Sequence, residues 1–220
     1  GPDFQPTALW LPGDTVVDEY RLRVPETATS RVVWPLAGLY DPASLERLPV
    51  TEGAGQAADG AVRLPPLKVL SPPPSAPLQA TAARFGDLGT LVGVAVETPA
   101  IDVHPGDALT VTLAYDVLAP SRGELTRFVH FYDPALGMAA QADGPPQQGL
   151  NPTWSWVPGE RVIDQVVLSV APDAAPGRYR LVTGFYDANR NGERLPVFGP
   201  NDEPLPDNLA PLMEIELHAR

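Results

Sequence analysis

The sequence predicts an all-β protein built as two tandem antiparallel β-sandwich units, the first of them partial. Three observations carry that prediction. Apolar residues alternate with a period of two through nearly the whole chain, and no window holds a 3.6-residue stripe of useful length. Proline makes up 28 of 220 residues, more than twice the usual share of about 5%. The prolines sit mostly at the ends of apolar runs, which suits short strands and rigid turns rather than long helices. The third observation is an internal repeat. Residues 6–50 and 152–197 share the skeleton P-T-x-x-W-x-P-G-(D/E)-x-x-(V/I)-D, then a β run, then G-(L/F)-Y-D, then E-R-L-P-V. Trp10 and Trp156 lie 146 positions apart and Arg47 and Arg194 lie 147 apart, so one residue of slack separates the copies. A match of this density marks a duplicated unit. About seventy residues of strand-like sequence precede the second copy and have no counterpart before the first.

Taken in order, residues 15–24 (TVVDEYRLRV) begin a strand directly after Pro12-Gly13, and residues 32–40 and 62–70 give two more. Ser71-Pro72-Pro73-Pro74-Ser75 reads as a stiff polyproline-type boundary. The predicted units are therefore a partial sandwich at 1–71, a linker at 72–76 and a complete sandwich at 77–220. In the second unit, residues 78–85, 88–97, 108–118, 124–132, 161–170, 178–187, 193–198 and 212–218 read as strands, with a short one at 137–141. Turn signals separate them, among them Pro105-Gly106-Asp107, Pro158-Gly159-Glu160, Pro176-Gly177 and Asn191-Gly192. Tyr179, just after Pro176-Gly177, matches the tyrosine that opens the sixth strand of an immunoglobulin-type sandwich and bonds the preceding loop backbone. It gives the second unit an immunoglobulin-like expectation. The aligned residue in the first copy is Val33, without the Pro-Gly, so a looser edge is expected there.

A partial unit would expose sheet edges and an apolar face, which folded proteins avoid. Packing on the second unit, strands taken from another chain, and a beginning upstream of Gly1 are the three resolutions. Upstream sequence combined with packing is the expectation, and the oligomeric state stays open. Gly1-Pro2 reads as a protease-cleavage scar or as the counterpart of Gly144-Pro145.

The net charge of −12, without any basic run, argues against nucleic acid and anionic membrane as partners. There is no cysteine, hence no disulfide frame, thiolate zinc site or thiol nucleophile. No run of about 20 apolar residues and no signal peptide is present, so any membrane attachment is expected outside this chain.

The candidate chemistry is thin. Asp187, Asn189 and Asn191 resemble the front half of a calcium loop, with oxygen ligands at alternate positions and Gly192 for the turn. Phe198 stands where the closing bidentate acid belongs, and a plain hairpin turn at Asn191-Gly192 is the preferred reading. His130, Asp143 and Asp164 sit inside motif segments, but His130 changes face with one residue of register slip. Asp18 and Asp164 are repeat equivalents without a matching histidine in the first copy, which favours a structural role. Trp10 and Trp156 are equivalents too and are expected as core anchors. Trp154 faces Ala8 in the repeat and is the better platform for a sugar ring. No nucleophile elbow, zincin, phosphate-loop or dinucleotide motif occurs, so no catalytic residue and no required cofactor are assigned.

The second unit resembles a soluble module of bacterial multi-pass membrane glycosyltransferases of the dolichyl-phosphate-mannose type. The carrying residues are Phe128-Val129-His130-Phe131-Tyr132-Asp133, Gln141-Ala142-Asp143, the Pro152-Thr153, Trp156, Pro158-Gly159-Glu160 and Asp164 string, Pro176-Gly177 with Tyr179, Gly184-Phe185-Tyr186-Asp187, and Arg194-Leu195-Pro196. The resemblance covers about residues 80–218 and part of 4–70. It implies a non-catalytic, extracytoplasmic appendage of a larger membrane-attached protein, with glycan or a protein as the contact and Tyr186 among its structural motif residues. A purely structural spacer is the alternative, and a carbohydrate-active enzyme is a third reading.

Overall fold

The computed structural model describes residues 7–26, 28–50, 57–58, 60–70, 77–97 and 102–219. The predicted linker at 72–76 and the Gly1-Pro2 pair lie outside the described residues. The described chain is all-β, with antiparallel sheets and only short 3-10 turns as helix. Five short strands come first: β1 (Arg31–Val33), β2 (Leu36–Ala37), β3 (Ala57–Ala58), β4 (Ala61–Arg63) and β5 (Leu67–Val69). The longer ones follow: β6 (Gln79–Phe85), β7 (Gly89–Glu97), β8 (Ala108–Val117), β9 (Thr126–Asp133), β10 (Gly137–Gly144), β11 (Arg161–Ser169) and β12 (Gly177–Asp187). The last are β13 (Glu193–Arg194), β14 (Val197–Phe198) and β15 (Ala210–Leu217).

Two five-stranded sheets form the body. One runs β11-β8-β7-β6-β14, and the other runs β10-β9-β12, with β13 and β15 both alongside β12. Their facing sides alternate as the sequence does. Leu109, Val111, Leu113, Tyr115, Val162, Val166 and Leu168 of the first sheet meet Val129, Phe131, Tyr179, Leu181 and Phe185 of the second, all of them buried. The main core cluster lies entirely between Ala83 and Leu217. At its centre Phe85, Tyr115, Trp156 and Phe185 pack ring to ring, with centroids 5.3–6.0 Å apart. Such tilted and edge-on pairs are favourable beyond the area they bury. The Tyr179 hydroxyl donates to the Ala175 carbonyl at 2.8 Å.

One ion pair crosses this core. Arg127 Nε donates to Asp164 Oδ2 at 2.9 Å, and Arg127 Nη1 donates to the Ala142 carbonyl at 2.8 Å. The other carboxylate oxygen of Asp164 accepts the Gln147 backbone N–H at 2.8 Å. Both carboxylate oxygens and two of the three guanidinium nitrogens are therefore matched, which is the condition for tolerating buried charge. The fully buried Tyr115 hydroxyl lies in the field of this pair and has no well-formed hydrogen bond among the described residues. Burial, and then the Asp164 charge, push its pKa well above the ordinary tyrosine value. The folded state thus holds the phenol proton more tightly than the unfolded state, so this contribution is constant below about pH 10 and lost above it. We expect unfolding stability to fall by about 1.4 kcal/mol per pH unit above pH 10 on account of this one group. Urea titrations at stepped pH test it: Tyr115→Phe removes that share of the alkaline loss while leaving stability at pH 7 nearly unchanged.

The first copy keeps the repeat's register as well as its sequence. Arg31, Val32 and Val33 pair with Val69, Lys68 and Leu67, as Gly177, Arg178 and Tyr179 pair with Leu217, Glu216 and Ile215. Leu36 and Ala37 pair with Arg63 and Val62, as Val182 and Thr183 pair with Pro211 and Ala210. The bridge between Tyr40 and Arg47 reproduces the pair Tyr186 and Arg194. So β1 and β2 together correspond to β12, and β4 and β5 to β15. Pro35 and the Pro65-Pro66 pair break each long strand in two, because proline offers no N–H to a ladder.

Two expectations are corrected here. Residues 15–24 form no strand. Val17, Tyr20, Leu22 and Val24 are exposed. Their counterpart β11 is a strand because β8 pairs along its whole length, and no such neighbour exists for 15–24 among the described residues. Trp10 is likewise no core anchor: it is 38% exposed, against 2% for Trp156. Of the rings against Trp156, Tyr115 belongs to β8, which has no counterpart among the described residues of the first copy, and Phe185 is replaced there by Leu39.

Val32 and Lys68 tie the first copy to the second through polar contacts. Val32 N–H donates to the Leu150 carbonyl at 2.9 Å. Lys68, the single lysine of the chain, places its ammonium 3.1 Å from Glu160 and also bonds the Asn151 side chain. Burial lowers the Lys68 pKa, and Glu160 opposes that shift.

Candidate functional site

The outward face of the β10-β9-β12 sheet collects what chemistry the chain has. Because Arg127, Val129 and Phe131 point into the core, Phe128, His130 and Tyr132 share the opposite face. Phe128 lies across Gly184 on β12, and a Cβ there would stand 2.4 Å from the Phe128 ring, so only glycine lets the ring lie flat on the sheet. The His130 ring tilts against Phe128 at 4.7 Å, and the Arg194 guanidinium of β13 covers Phe128 from 5.0 Å. This cation–π contact fixes a long side chain, and Arg194 Nη1 is further held by the Asp207 carbonyl at 3.0 Å.

Asp143 on β10 ties this row together. Its carboxylate takes the Tyr186 hydroxyl at 3.1 Å and lies 3.1 Å from His130 Nε2. Desolvation, then the Asp143 charge, raise the Tyr186 pKa, so the hydroxyl stays a donor. Beside this network runs a shallow groove of about 270 Å³ lined by His130, Tyr132, Met138, Arg194, Asp207 and Leu209. It offers planar rings, one fixed guanidinium, one carboxylate and two aliphatic side chains. Chemically, that combination suits a flat, hydroxylated or anionic group, in a groove slightly smaller than the usual range for ligand sites.

The residues singled out from the sequence divide unevenly around this groove. His130 lines it, and Tyr186 and Asp143 belong to the network beside it. Trp154 does not line it: the residue sits on the 3-10 turn Thr153–Ser155 and is 39% exposed. Its neighbour Thr153 is buried, with its hydroxyl accepting the Leu125 N–H at 3.0 Å and the Ser121 hydroxyl at 2.7 Å. Trp156 and Asp164 are in the core. Asp18 is exposed and accepts the Tyr20 hydroxyl at 2.5 Å.

Asp187 caps its own turn, accepting the Asn189 N–H at 2.9 Å, with Arg190 3.7 Å from its other oxygen. Asn191 takes the left-handed conformation that reverses the chain into β13. Asp41, the repeat equivalent of Asp187, caps its turn in the same way through Ala43 and Ser44. Among the described residues no group of three or more histidine, aspartate or glutamate side chains is placed to hold a metal.

Tyr132, Met138, Arg194, Asp207 and Leu209 are groove residues that the sequence alone does not single out as a site. The available signal was the aromatic triplet at 128, 130 and 132, three rings at every second position and hence on one face of one strand. Among the described residues no helix is long and apolar enough to cross a membrane. No protein-family model matches the chain, and no curated protein matches its sequence.

Proposed function

We propose that the chain is a non-catalytic recognition module, working outside the cytoplasm as part of a larger membrane-attached protein, and that it contacts glycan through the groove on the β9–β10–β12 face. The observation that carries this reading is the ring-and-arginine surface of His130, Tyr132 and Arg194, with Asp207 alongside. Rings supply contact area to a sugar face, while a held guanidinium and a carboxylate bond its hydroxyls without much loss of side-chain freedom. The same reading makes the 79–217 body immunoglobulin-like, supported by the Tyr179 contact with Ala175. A structural spacer is the alternative, favoured by the shallowness of the groove.

Calorimetric titration of the intact chain against bacterial cell-wall and surface glycans, with and without calcium, tests the proposal. Saturable binding that weakens about tenfold or more in both Arg194→Ala and Tyr132→Ala, and survives Trp154→Ala, is the expected result. Binding lost only in Trp154→Ala moves the site to the 3-10 turn. A flat response from the folded protein leaves the spacer as the better account.

A further inference from the structure

The first copy contains counterparts of β12 and β15, paired in matching register, and the sequence counterpart of β11 at 15–24, but none of β8 and β9 among the described residues. In the second copy those two strands are the neighbours of β11 and β12. The face that β11 buries with Val162, Asp164, Val166 and Leu168 is repeated at Val16, Asp18, Tyr20 and Leu22, where Tyr20 is 78% and Leu22 80% exposed. Asp18 keeps the carboxylate that in Asp164 neutralises Arg127 of β9. Thr7 keeps the hydroxyl that in Thr153 holds the β8–β9 loop through Leu125 and Ser121, yet Thr7 is exposed. A strand pattern, a carboxylate and a hydroxyl thus survive together, and in the second copy the pairing strand β8, the Arg127 countercharge and the loop held by Thr153 all come from a single segment, 108–133.

We infer that residues 15–24 are an acceptor strand, completed by a polypeptide segment of β8–β9 type lying outside these 220 residues. That segment has a defined chemistry. Its first strand alternates apolar residues as Leu109, Val111, Leu113 and Tyr115 do, and its second opens with an arginine placed as Arg127 is, to meet Asp18. Pairing along 15–24 satisfies the backbone groups that an isolated extended segment leaves to water, and it covers Tyr20 and Leu22. This inference does not depend on the groove.

A fusion tests it: a second copy of residues 79–144 placed ahead of Gly1 in the full chain, followed by amide hydrogen exchange. Exchange across 15–24 is expected to slow by roughly tenfold or more, towards the protection of β11. Asp18→Ala should then lower the melting temperature of the fusion and leave that of the unfused chain unchanged. An added segment carrying Leu113→Asp should give no protection. Unchanged exchange across 15–24 in the fusion overturns the inference. So does protection of 15–24 in the unfused chain accompanied by a dimeric mass, since the occupant is then a second copy of this chain.

Discussion

Asp164→Ala is expected to lower unfolding stability by about 3–5 kcal/mol, the range for breaking a buried pair from one side. The loss is large because of what stays behind. Arg127 keeps its charge in a site where its side chain is 7% exposed, with only the Ala142 carbonyl left to it. The Gln147 N–H loses its acceptor as well, which loosens the turn that packs on β11. Asp164→Asn should fall in the same direction, because it preserves the shape but not the countercharge. The double change Arg127→Met with Asp164→Leu should recover much of the loss, since two apolar groups replace a pair that was expensive to desolvate. Equilibrium urea unfolding of the four proteins measures this. A loss below about 1 kcal/mol for Asp164→Ala would place the pair in contact with water rather than in the core. Asp18→Ala is the internal control: it removes the same motif residue from the first copy and should leave the transition where it is.

Trp156→Ala is the second large effect, expected at about 3–5 kcal/mol, or a fall in melting temperature of roughly 10 °C for a chain of this size. The indole fills the space between Tyr115 and Phe185, and its Nε1–H satisfies the Asn151 carbonyl at 3.0 Å. Truncation leaves both a cavity and a buried acceptor. Trp156→Phe separates the two, since it keeps most of the packing and should cost about 1 kcal/mol for the lost hydrogen bond plus a smaller packing term. Trp10→Ala, at the equivalent place in the first copy, should be close to silent. Thermal melts of the three proteins decide the matter. Equal losses at positions 10 and 156 would mean that the first copy has a core of its own.

Most strands of the second unit are legible in the sequence to within a few residues, because alternation, turn chemistry and length agree there; the expected strand at 193–198 is the exception, divided at Leu195-Pro196 between β13 of one sheet and β14 of the other. The pattern misleads at 15–24 for a definite reason. Alternation reports that a strand has two unlike faces, but it does not report whether a neighbour exists to pair with. The same limit explains Trp10, whose motif is intact but which has no counterpart of β8 beside it among the described residues. The proline breaks at Pro35 and Pro65-Pro66 were legible, and the strands at 32–40 and 62–70 would have been better divided there.

In the core, the repeat equivalence of Asp18 and Asp164 points to a structural role for Asp164 but not to its partner Arg127, because the pair joins different sheets across 37 positions of sequence. An aspartate at an inward position of an apolar strand demands a partner, and Arg127 alternates with the buried Val129 and Phe131 on β9. His130 was left undecided because its face depends on register. The β9–β12 pairing settles that, setting His130 outward beside Asp143.

Lys68 has a practical consequence for anyone handling this protein. All other cationic side chains are arginine, so a protease that cuts after lysine has one peptide bond to attack, Lys68–Val69. That bond lies in a strand, and the lysine beside it is engaged with Glu160 and Asn151. Limited digestion therefore becomes a clock for the undocking of the first copy from the second, read from a single cut that leaves the sandwich in one piece.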